Sequence, residues 1–144
     1  MKLTTRSRYG ARMVLDIAMH GVNGPVRIPD IAARQGLSVK YLEKLVRELK
    51  AAGCIKSRRG PKGGHMLAKP AEEITLGEIV RVLEGDLHLT ECGKGDGVCP
   101  RANSCLTRQA WLDAGKALFD KLDSLTMAEL AQQGELCPVP RNDF

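Results

Sequence analysis

The sequence predicts a mainly α-helical fold in which one small β-hairpin forms an α+β portion. Apolar residues recur at helical spacing at residues 7–21, 30–35 and 38–53, with tight turns between these segments. A strand–turn–strand pattern follows directly at residues 54–68, and a second long helical pattern runs from 106 to about 124. A chain of 144 residues can bury one core, or form a small domain plus an extended helix.

The first three helical segments predict a helix-turn-helix. Thr5 or Ser7 is expected to cap the first helix. Pro29 opens a short helix that Gly36 closes, and Ser38 is then the N-cap of the third helix. The polar side of this third helix carries Lys40, Tyr41, Glu43, Lys44, Arg47 and Lys50. The second helix of such a motif enters the major groove of DNA, although an ordinary αα-hairpin has the same pattern.

A basic hairpin directly after the third helix predicts a wing. Residues 54–59 form a strand-like run, residues 60–64 a glycine-rich turn, and residues 65–68 the returning strand. Val26–Ile28 is expected to add another short strand. The residues placed to clamp phosphates or enter a minor groove are Arg58, Arg59 and Lys62. A surface hairpin with a flexible tip is the alternative.

The charge of the chain is divided between its two halves. Residues 1–70 carry 15 Lys/Arg against 4 Asp/Glu, a net charge of +11, whereas residues 71–144 carry 7 against 13, a net charge of −6. The basic half indicates a polyanionic partner, and an aromatic content of 3% disfavours stacking on single-stranded bases. Since neither an apolar run of about 18 residues nor an apolar signal core is present, we expect a cytoplasmic protein without a membrane partner.

The C-terminal half is expected to mediate dimerisation. Capping-box spacings at Thr75–Glu78 and Thr126–Glu129 predict helix starts, the first of a helix over residues 76–84. The long helix after residue 105 carries an apolar seam suited to pairing between two chains, formed by Trp111, Leu118, Leu122 and Leu125. Packing of this seam within one subunit is the alternative. We expect residues 132–144 to form a loose tail.

Three of the five cysteines lie together in a polar, glycine-rich segment, at Cys92, Cys99 and Cys105. Thiolates are soft ligands that suit iron–sulfur clusters and zinc. A structural zinc site and a metal-free thiol switch are alternatives, the first disfavoured by the spacing of the cysteines. Neither a Cys–His nor a Ser–His–Asp set accompanies the cysteines, so we predict neither an enzyme nor a small-molecule substrate.

Four motifs make the chain resemble the Rrf family of winged-helix regulators, of the IscR, NsrR and CymR type. These motifs are Met1–Thr4, Ser38–Glu43, Arg59–Gly64 and Cys105–Thr107. The resemblance implies a winged helix-turn-helix head at 1–84, a cysteine loop at 85–106, a dimerisation helix with a short final helix at 107–131, and the tail at 132–144. It also implies a homodimeric repressor or activator of promoter DNA, with contacts from Ser38, Tyr41, Glu43, Arg59, Pro61 and the wing glycines, Gly63 among them. The positions of Lys40, Lys44 and Arg47 on the same helix and of Lys62 in the wing add these residues to the predicted DNA contacts.

The same resemblance implies that Cys92, Cys99 and Cys105 hold an iron–sulfur cluster, 2Fe–2S rather than 4Fe–4S. The fourth ligand is unknown, because Arg108 stands where IscR-like members have a ligating histidine. Candidates are a residue of the partner subunit and, in this chain, Glu91, Asp96 and Cys137, followed by His88 and His65. The implied role is control of iron–sulfur biogenesis in response to iron or redox status. A nitric-oxide sensor, a general redox sensor and a cluster-free thiol-switch or zinc repressor are the alternatives.

Overall fold

The computed structural model describes residues 2–136, which form six α-helices and one two-stranded antiparallel sheet. The elements are α1 (Thr5–His20), α2 (Ile28–Gln35), α3 (Val39–Ala51), β1 (Ile55–Arg58), β2 (Gly64–Leu67), α4 (Leu76–Glu84), α5 (Leu106–Asp123) and α6 (Met127–Leu136). The sheet pairs Ile55 with Leu67 and Arg58 with Gly64. This order confirms the predicted mainly α fold class with a small hairpin.

Local capping chemistry sets most of the helix starts. Ser38 Oγ accepts a hydrogen bond from the Tyr41 backbone N–H at 3.4 Å, and Thr75 Oγ1 accepts one from Glu78 N–H at 3.1 Å. At α6 the box is reciprocal, because Thr126 Oγ1 accepts from Glu129 N–H and Glu129 Oε2 accepts from Thr126 N–H. Each such bond satisfies an amide that the helix itself leaves without a partner.

Two predictions about the N-terminal part are wrong. The cap of α1 is Thr4 rather than Thr5 or Ser7, since the extended backbone of Thr4 lets its hydroxyl accept from Arg6 N–H at 3.1 Å. The short strand expected at residues 26–28 is a single bridge between Val26 and His65. Pairing cannot continue beyond it, because α2 already begins at Ile28.

The final helix is longer than the sequence predicts. It extends through Leu136, so residues 132–136 are helical and do not belong to a loose tail. Residues 132 and 133 are exposed, and helical hydrogen bonding continues through them although they bury no side chain. Cys137 and the remainder of the predicted tail lie outside the described residues.

One hydrophobic core joins the head to the C-terminal helices. Its fully buried side chains include Met13 and Ile17 of α1, Leu42 and Leu49 of α3, and Met127 of α6. The segment before α4 pairs with the start of α6, since Met127 N–H donates to the Ile74 carbonyl at 2.8 Å and Leu76 N–H donates to the Leu125 carbonyl at 2.8 Å. The helix after the long helix α5 therefore returns to the head.

Buried polar contacts fix the orientation of α1. Asp16, 1% exposed, accepts hydrogen bonds from the Arg34 guanidinium and from Gln35 Nε2 of α2. At the other end of α1, Glu84 Oε1 accepts from Thr4 N–H at 2.9 Å and from Ser7 Oγ at 2.6 Å. These carboxylates fasten α1 to the helix-turn-helix on one side and to the end of α4 on the other.

Within residues 2–136, none of the helices combines the length and the apolar character needed to cross a lipid bilayer.

Candidate functional site

The helix-turn-helix consists of α2 and α3, and the turn between them depends on Gly36. This glycine has the left-handed conformation (φ +64°) at the end of α2, which carries little steric cost for a residue without a side chain. The helix α3 then buries Leu42, Leu45, Val46 and Leu49 against the core. Because the apolar side faces inward, the opposite side of α3 is presented to solvent.

The exposed side of α3 carries the residues that the sequence predicts as DNA contacts. Lys40, Glu43, Lys44 and Arg47 are exposed, and Tyr41 is half-buried. The Ser38 hydroxyl is exposed at the start of the helix, and because it accepts the Tyr41 amide, its own proton remains available for donation. The structure therefore brings the predicted α3 residues onto one accessible surface.

The wing projects its basic residues from a turn that excludes side chains at two positions, Gly63 and Gly64. Gly63 N–H donates to the Gly60 carbonyl at 2.9 Å, and a Cβ added at Gly63 would lie 2.3 Å from the Arg58 carbonyl oxygen. Such a contact is sterically forbidden, so Gly63 has a structural requirement for glycine. Around this turn, Arg58, Arg59, Pro61 and Lys62 are all exposed.

The base of the wing is closed by His65 and Cys54. Ser57 Oγ and His65 Nδ1 lie 3.0 Å apart, and burial together with the charge of Lys50 lowers the pKa of His65. Cys54 is fully buried, and burial, followed by the charge of Glu78, raises the pKa of its thiol to about 11. Such a thiol stays protonated and unreactive at neutral pH, so Cys54 serves as a small core residue.

The cysteine loop connects α4 to α5, and its three cysteines are half-buried free thiols. Thr90 Oγ1 lies 3.1 Å from Cys92 Sγ, and Thr107 Oγ1 lies 3.2 Å from Cys105 Sγ. The hydrogen bond with Thr107, then that with the Arg108 backbone N–H, lowers the pKa of Cys105. A lowered thiol pKa favours the thiolate, the form that binds metals and reacts with oxidants.

Arg108 holds the two ends of this loop together. Its Nε donates to the Cys92 carbonyl at 3.0 Å, and its Nη1 lies at the hydrogen-bond limit of 3.5 Å from the Ala102 carbonyl. Its Nη2 donates to Asp96 Oδ1 at 2.9 Å, and the Arg108 side chain is only 15% exposed. The residue that replaces the expected histidine ligand is thus the main hydrogen-bonding centre of the loop.

The fit of the loop to a metal cofactor is mixed. Its donor set of three thiols suits an iron–sulfur cluster in kind. Within residues 2–136, however, no group of three or more His, Cys, Asp or Glu side chains is gathered so that it could hold a metal ion. Among the proposed fourth ligands, Asp96 pairs with Arg108 and Glu91 pairs with Lys94, while Cys137 lies outside the described residues.

The predicted dimer seam lies on an accessible face of α5. This helix has no buried residue, Trp111 is 49% exposed, and Leu118 and Leu122 are half-buried. Leu125, the fourth residue of the predicted seam, is half-buried beyond the end of α5 at Asp123, where its carbonyl accepts a hydrogen bond from Leu76 N–H. Part of the helix packs within the subunit, since Arg81 of α4 forms a bidentate ion pair with Asp123 and lies 4.4 Å from the Phe119 ring centre. The seam is therefore only partly covered by its own chain.

Sequence reasoning missed the residues that hold the site in position. Asp16, Glu84 and Arg108 all act through long-range hydrogen bonds, which leave no periodic signal in a sequence. Only Arg108 was marked in the sequence, because it stands where IscR-like members have a ligating histidine. That difference indicated a missing ligand and not a hydrogen-bonding role.

The α2–α3 pair followed by an exposed basic hairpin defines the class of winged helix-turn-helix DNA-binding proteins. A family model described as Rrf2, iron-dependent transcriptional regulator, matches residues 3–133. The chain belongs to the Rrf2 family of transcriptional regulators. Because this family and its relatives are regulators rather than enzymes, the chain is a DNA-binding regulator and not an enzyme.

Two relatives, one called rrf2 and one called IscR, match nearly the whole chain. Protein rrf2 of Nitratidesulfovibrio vulgaris is 54% identical over 138 residues, which are 96% of this chain and 92% of that protein. The HTH-type transcriptional regulator IscR of Klebsiella pneumoniae is 37% identical over 139 residues, 96% of this chain and 85% of that protein.

Solved structures agree with this assignment. The structure of T. potens IscR has a TM-score of 0.78 and 35% identity, covering 99% of this chain and 94% of that one. CymR of B. subtilis, described as the global cysteine regulator of that organism, has a TM-score of 0.78 and 35% identity, covering 92% and 98%. The fold is therefore shared by an IscR protein and by a cysteine regulator.

Proposed function

We propose that this protein is a transcriptional regulator that binds promoter DNA as a homodimer and senses iron–sulfur or redox status in the cytoplasm through its cysteine loop. The observation that carries the proposal is that one chain contains both a candidate DNA-binding surface and a candidate sensing loop. An exposed helix-and-wing surface is joined by α4 to a loop with three free thiols. The match to an iron-dependent regulator family and the identity to IscR support the same function.

In this proposal α3 contacts base edges and the wing contacts the DNA backbone. Lys40, Lys44 and Arg47 supply positive charge along the exposed face of α3, and Arg59 and Lys62 do so at the wing. Ser38 and Tyr41 supply hydroxyl groups at the start of the helix, and Pro61 and Gly63 shape the turn that approaches the DNA. Glu43 acts in selectivity, because a carboxylate facing DNA rejects bases that offer no donor.

Cys92, Cys99 and Cys105 would hold the iron–sulfur cluster, which would supply a redox-sensitive and labile iron centre. Binding requires the loop to bring its thiols together, and the hydrogen bonds of Arg108 define the conformation from which it starts. Since α5 begins directly after Cys105, the loop conformation also sets how α5 begins. We infer that a change in the loop alters the dimer contact at Trp111, Leu118, Leu122 and Leu125. This contact in turn sets the distance between the two winged helix-turn-helix heads of the dimer.

A cluster-free thiol switch is the second candidate, because the loop cysteines are free thiols that, within residues 2–136, are not gathered into a group of metal ligands. The lowered pKa of Cys105 is compatible with it, since a thiolate reacts with oxidants as well as binding metals. A thiolate on the surface of a glycine-rich loop is open to oxidants. The likeness to a cysteine regulator, CymR, supports this candidate as well.

The deciding experiment is an anaerobic purification with visible absorbance, iron and acid-labile sulfide analysis. Wild type is compared with Cys99→Ala and with Cys54→Ala, a matched control that removes a cysteine outside the loop. The sensor function predicts a coloured wild type and Cys54→Ala, a colourless Cys99→Ala, and a band shape that identifies 2Fe–2S or 4Fe–4S. A colourless wild type that resists reconstitution with iron and sulfide would refute cluster binding and leave a zinc-containing or thiol-switch regulator.

Selection from a random duplex library tests the DNA-binding part independently. Enrichment of an inverted repeat, together with a dimer in sedimentation analysis, is the expected result. Recovery of no preferred sequence by either the loaded or the cluster-free protein would contradict regulation of specific promoters.

A further inference from the structure

The N-terminal half of α1 lies directly beside the start of the recognition helix α3. Thr5 Oγ1 and Tyr41 Oη are hydrogen-bonded at 3.2 Å. The rings of Tyr9 and Tyr41 meet edge to face, with centroids 6.0 Å apart and an interplanar angle of 86°. Two successive turns of α1 therefore contact a single residue at the exposed edge of α3.

Arg8 and Arg12 lie on this same side of α1. At about 100° per residue, Thr5, Arg8, Tyr9 and Arg12 fall within one arc of about 100°. Arg12 is placed more closely, since its guanidinium carbon lies 5.6 Å from the Tyr9 ring centre and its Nε donates to Gln35 Oε1 at 3.0 Å. Thr5, Arg8 and Arg12, all exposed, form what we call the α1 stripe.

The charge of the α1 stripe is not neutralised within the described part of the chain. Arg6, on another side of α1, forms an ion pair with Glu48 and donates to the Leu83 carbonyl at 2.9 Å. Arg8 forms no ion pair with any residue in 2–136, and Arg12 donates only to the neutral Gln35. Asp16, the one acidic residue of α1, is buried and pairs with Arg34. The stripe therefore presents two uncompensated positive charges.

We propose that the α1 stripe is a third DNA-contacting element, which holds the phosphate backbone beside the groove entered by α3. This inference rests on the proposed DNA contact of α3. A helix that enters the major groove brings the elements flanking its start against the sugar–phosphate walls of that groove. Arg8 and Arg12 contact phosphates there, and the Thr5 hydroxyl donates to a phosphate oxygen.

Side chains carry this contact, and the helix terminus does not. The backbone amides of Thr4 and Ser7 at the start of α1 already donate to Glu84 Oε1, which places a carboxylate at that terminus. The stripe lies along the flank of the helix, on the side of Tyr41. It consequently adds affinity for any duplex and contributes to register, without distinguishing one base from another.

The test uses Arg8→Gln, because the Arg8 side chain is exposed and bonded to nothing within residues 2–136, so its loss leaves the fold intact. The matched control is Lys116→Gln, which removes one positive charge from an exposed position on α5. Arg8→Lys tests rescue by charge alone. Fluorescence anisotropy measures Kd for the selected duplex and for a scrambled duplex of the same length, from about 50 to 200 mM salt.

Each phosphate contact contributes about 0.9 to the slope of log K against log salt, so a fourfold rise in salt weakens binding by about 3.5-fold per contact. Arg8→Gln should lower this slope by about 0.9 for each bound protomer and weaken both duplexes by the same factor, whereas Arg8→Lys should keep the wild-type slope. Equal slopes and equal Kd values for Arg8→Gln and Lys116→Gln, with wild type still binding DNA, would overturn the α1 stripe alone. A wild type that binds no duplex would refute the proposed function and the stripe together.

Discussion

Removing the Asp16 carboxylate tests how the helix-turn-helix is fastened to α1. In the native state the Asp16 side chain is completely shielded from solvent, whereas Arg34 is 35% exposed. Arg34 Nη2 donates to Oδ1 at 2.6 Å, Arg34 Nε donates to Oδ2 at 3.1 Å, and Gln35 Nε2 donates to Oδ2 at 2.9 Å. Hydrogen bonds to charged groups contribute about 1.5–3 kcal/mol each, less where water can replace one partner.

Because only one partner is buried, the two single substitutions should differ. Asp16→Ala leaves a guanidinium that water can reach, and we expect a loss of about 2–3 kcal/mol in the free energy of unfolding. Arg34→Ala leaves a shielded carboxylate with Gln35 Nε2 and with His20 Nδ1, 3.5 Å from Oδ1, as its remaining partners, so its cost should lie at the lower end of the roughly 3–5 kcal/mol found for broken buried pairs. The double variant should cost less than the sum by at least about 1 kcal/mol, since the two sites share one interaction.

Urea unfolding followed by far-ultraviolet circular dichroism, at one fixed protein concentration, measures these differences. The control pair is Lys116 and Asp120 on α5, with side chains 75% and 61% exposed, for which Lys116→Ala should change stability by less than about 0.5 kcal/mol. If Asp16→Ala were no more destabilising than this control, or if the double variant were strictly additive, the buried pair would not be what fastens α2 to α1.

Three further outcomes are expected from other parts of the molecule. Burial raises the pKa of Glu84, but hydrogen bonds from Ser7 and Thr4 outweigh this effect, so the pKa in the folded state lies below the ordinary value of 4.5. The Glu84 carboxylate therefore stabilises the fold at pH values above 4.5, and this stabilisation is lost as the pH falls through the pKa of the folded state. Acid titrations of stability should accordingly show a shallower loss for Glu84→Gln than for wild type, and equal slopes would contradict the assignment. Gly63→Ala should weaken DNA binding about tenfold, which corresponds to about 1.4 kcal/mol of lost wing contact, because its Cβ would displace the Arg58 carbonyl in the turn. The change in Tm should be a few degrees at most. Gly97→Ala, which meets no atom within 4 Å, should bind like wild type. Arg108→Ala should be cut faster by thermolysin within the cysteine loop of the cluster-free protein, whereas the exposed Arg101→Ala should be cut at the wild-type rate; equal rates would show that Arg108 does not hold the loop.

Elements whose signals are local were predictable from the sequence. The helix α4 has the bounds expected from the Thr75–Glu78 spacing, and the box at Thr126 forms both of its hydrogen bonds. The fold class followed because helical periodicity and the glycine-rich turn of the wing both act over a few residues. The continuation of α6 beyond residue 131 was not predictable in this way, since the exposed residues 132 and 133 carry no apolar periodicity.

Contacts across the chain were not predictable. Thr4 rather than Thr5 caps α1, and the difference depends on Glu84, eighty residues away, which binds both the amide and the hydroxyl of Thr4. The three cysteines were correctly placed in one loop. Their residue type indicates which ligand atoms are available for a metal but not how those atoms are arranged in space. The roles of these cysteines, of the α3 and wing contacts and of the α5 seam stay predictions, because residue types alone do not define what they bind.

Because α6 packs against the head, the DNA-binding head cannot be separated from the C-terminal helices without loss of stability. Met127 has no exposed surface and lies in the same core as Met13 and Leu42. A fragment ending at residue 84 would leave a cavity of methionine size in that core and would lose the bonds to the Ile74 carbonyl and the Leu76 amide. Such cavities cost about 2–5 kcal/mol, a large part of the stability of a small domain. DNA-binding heads exchanged between relatives should therefore be transplanted together with their own final helix.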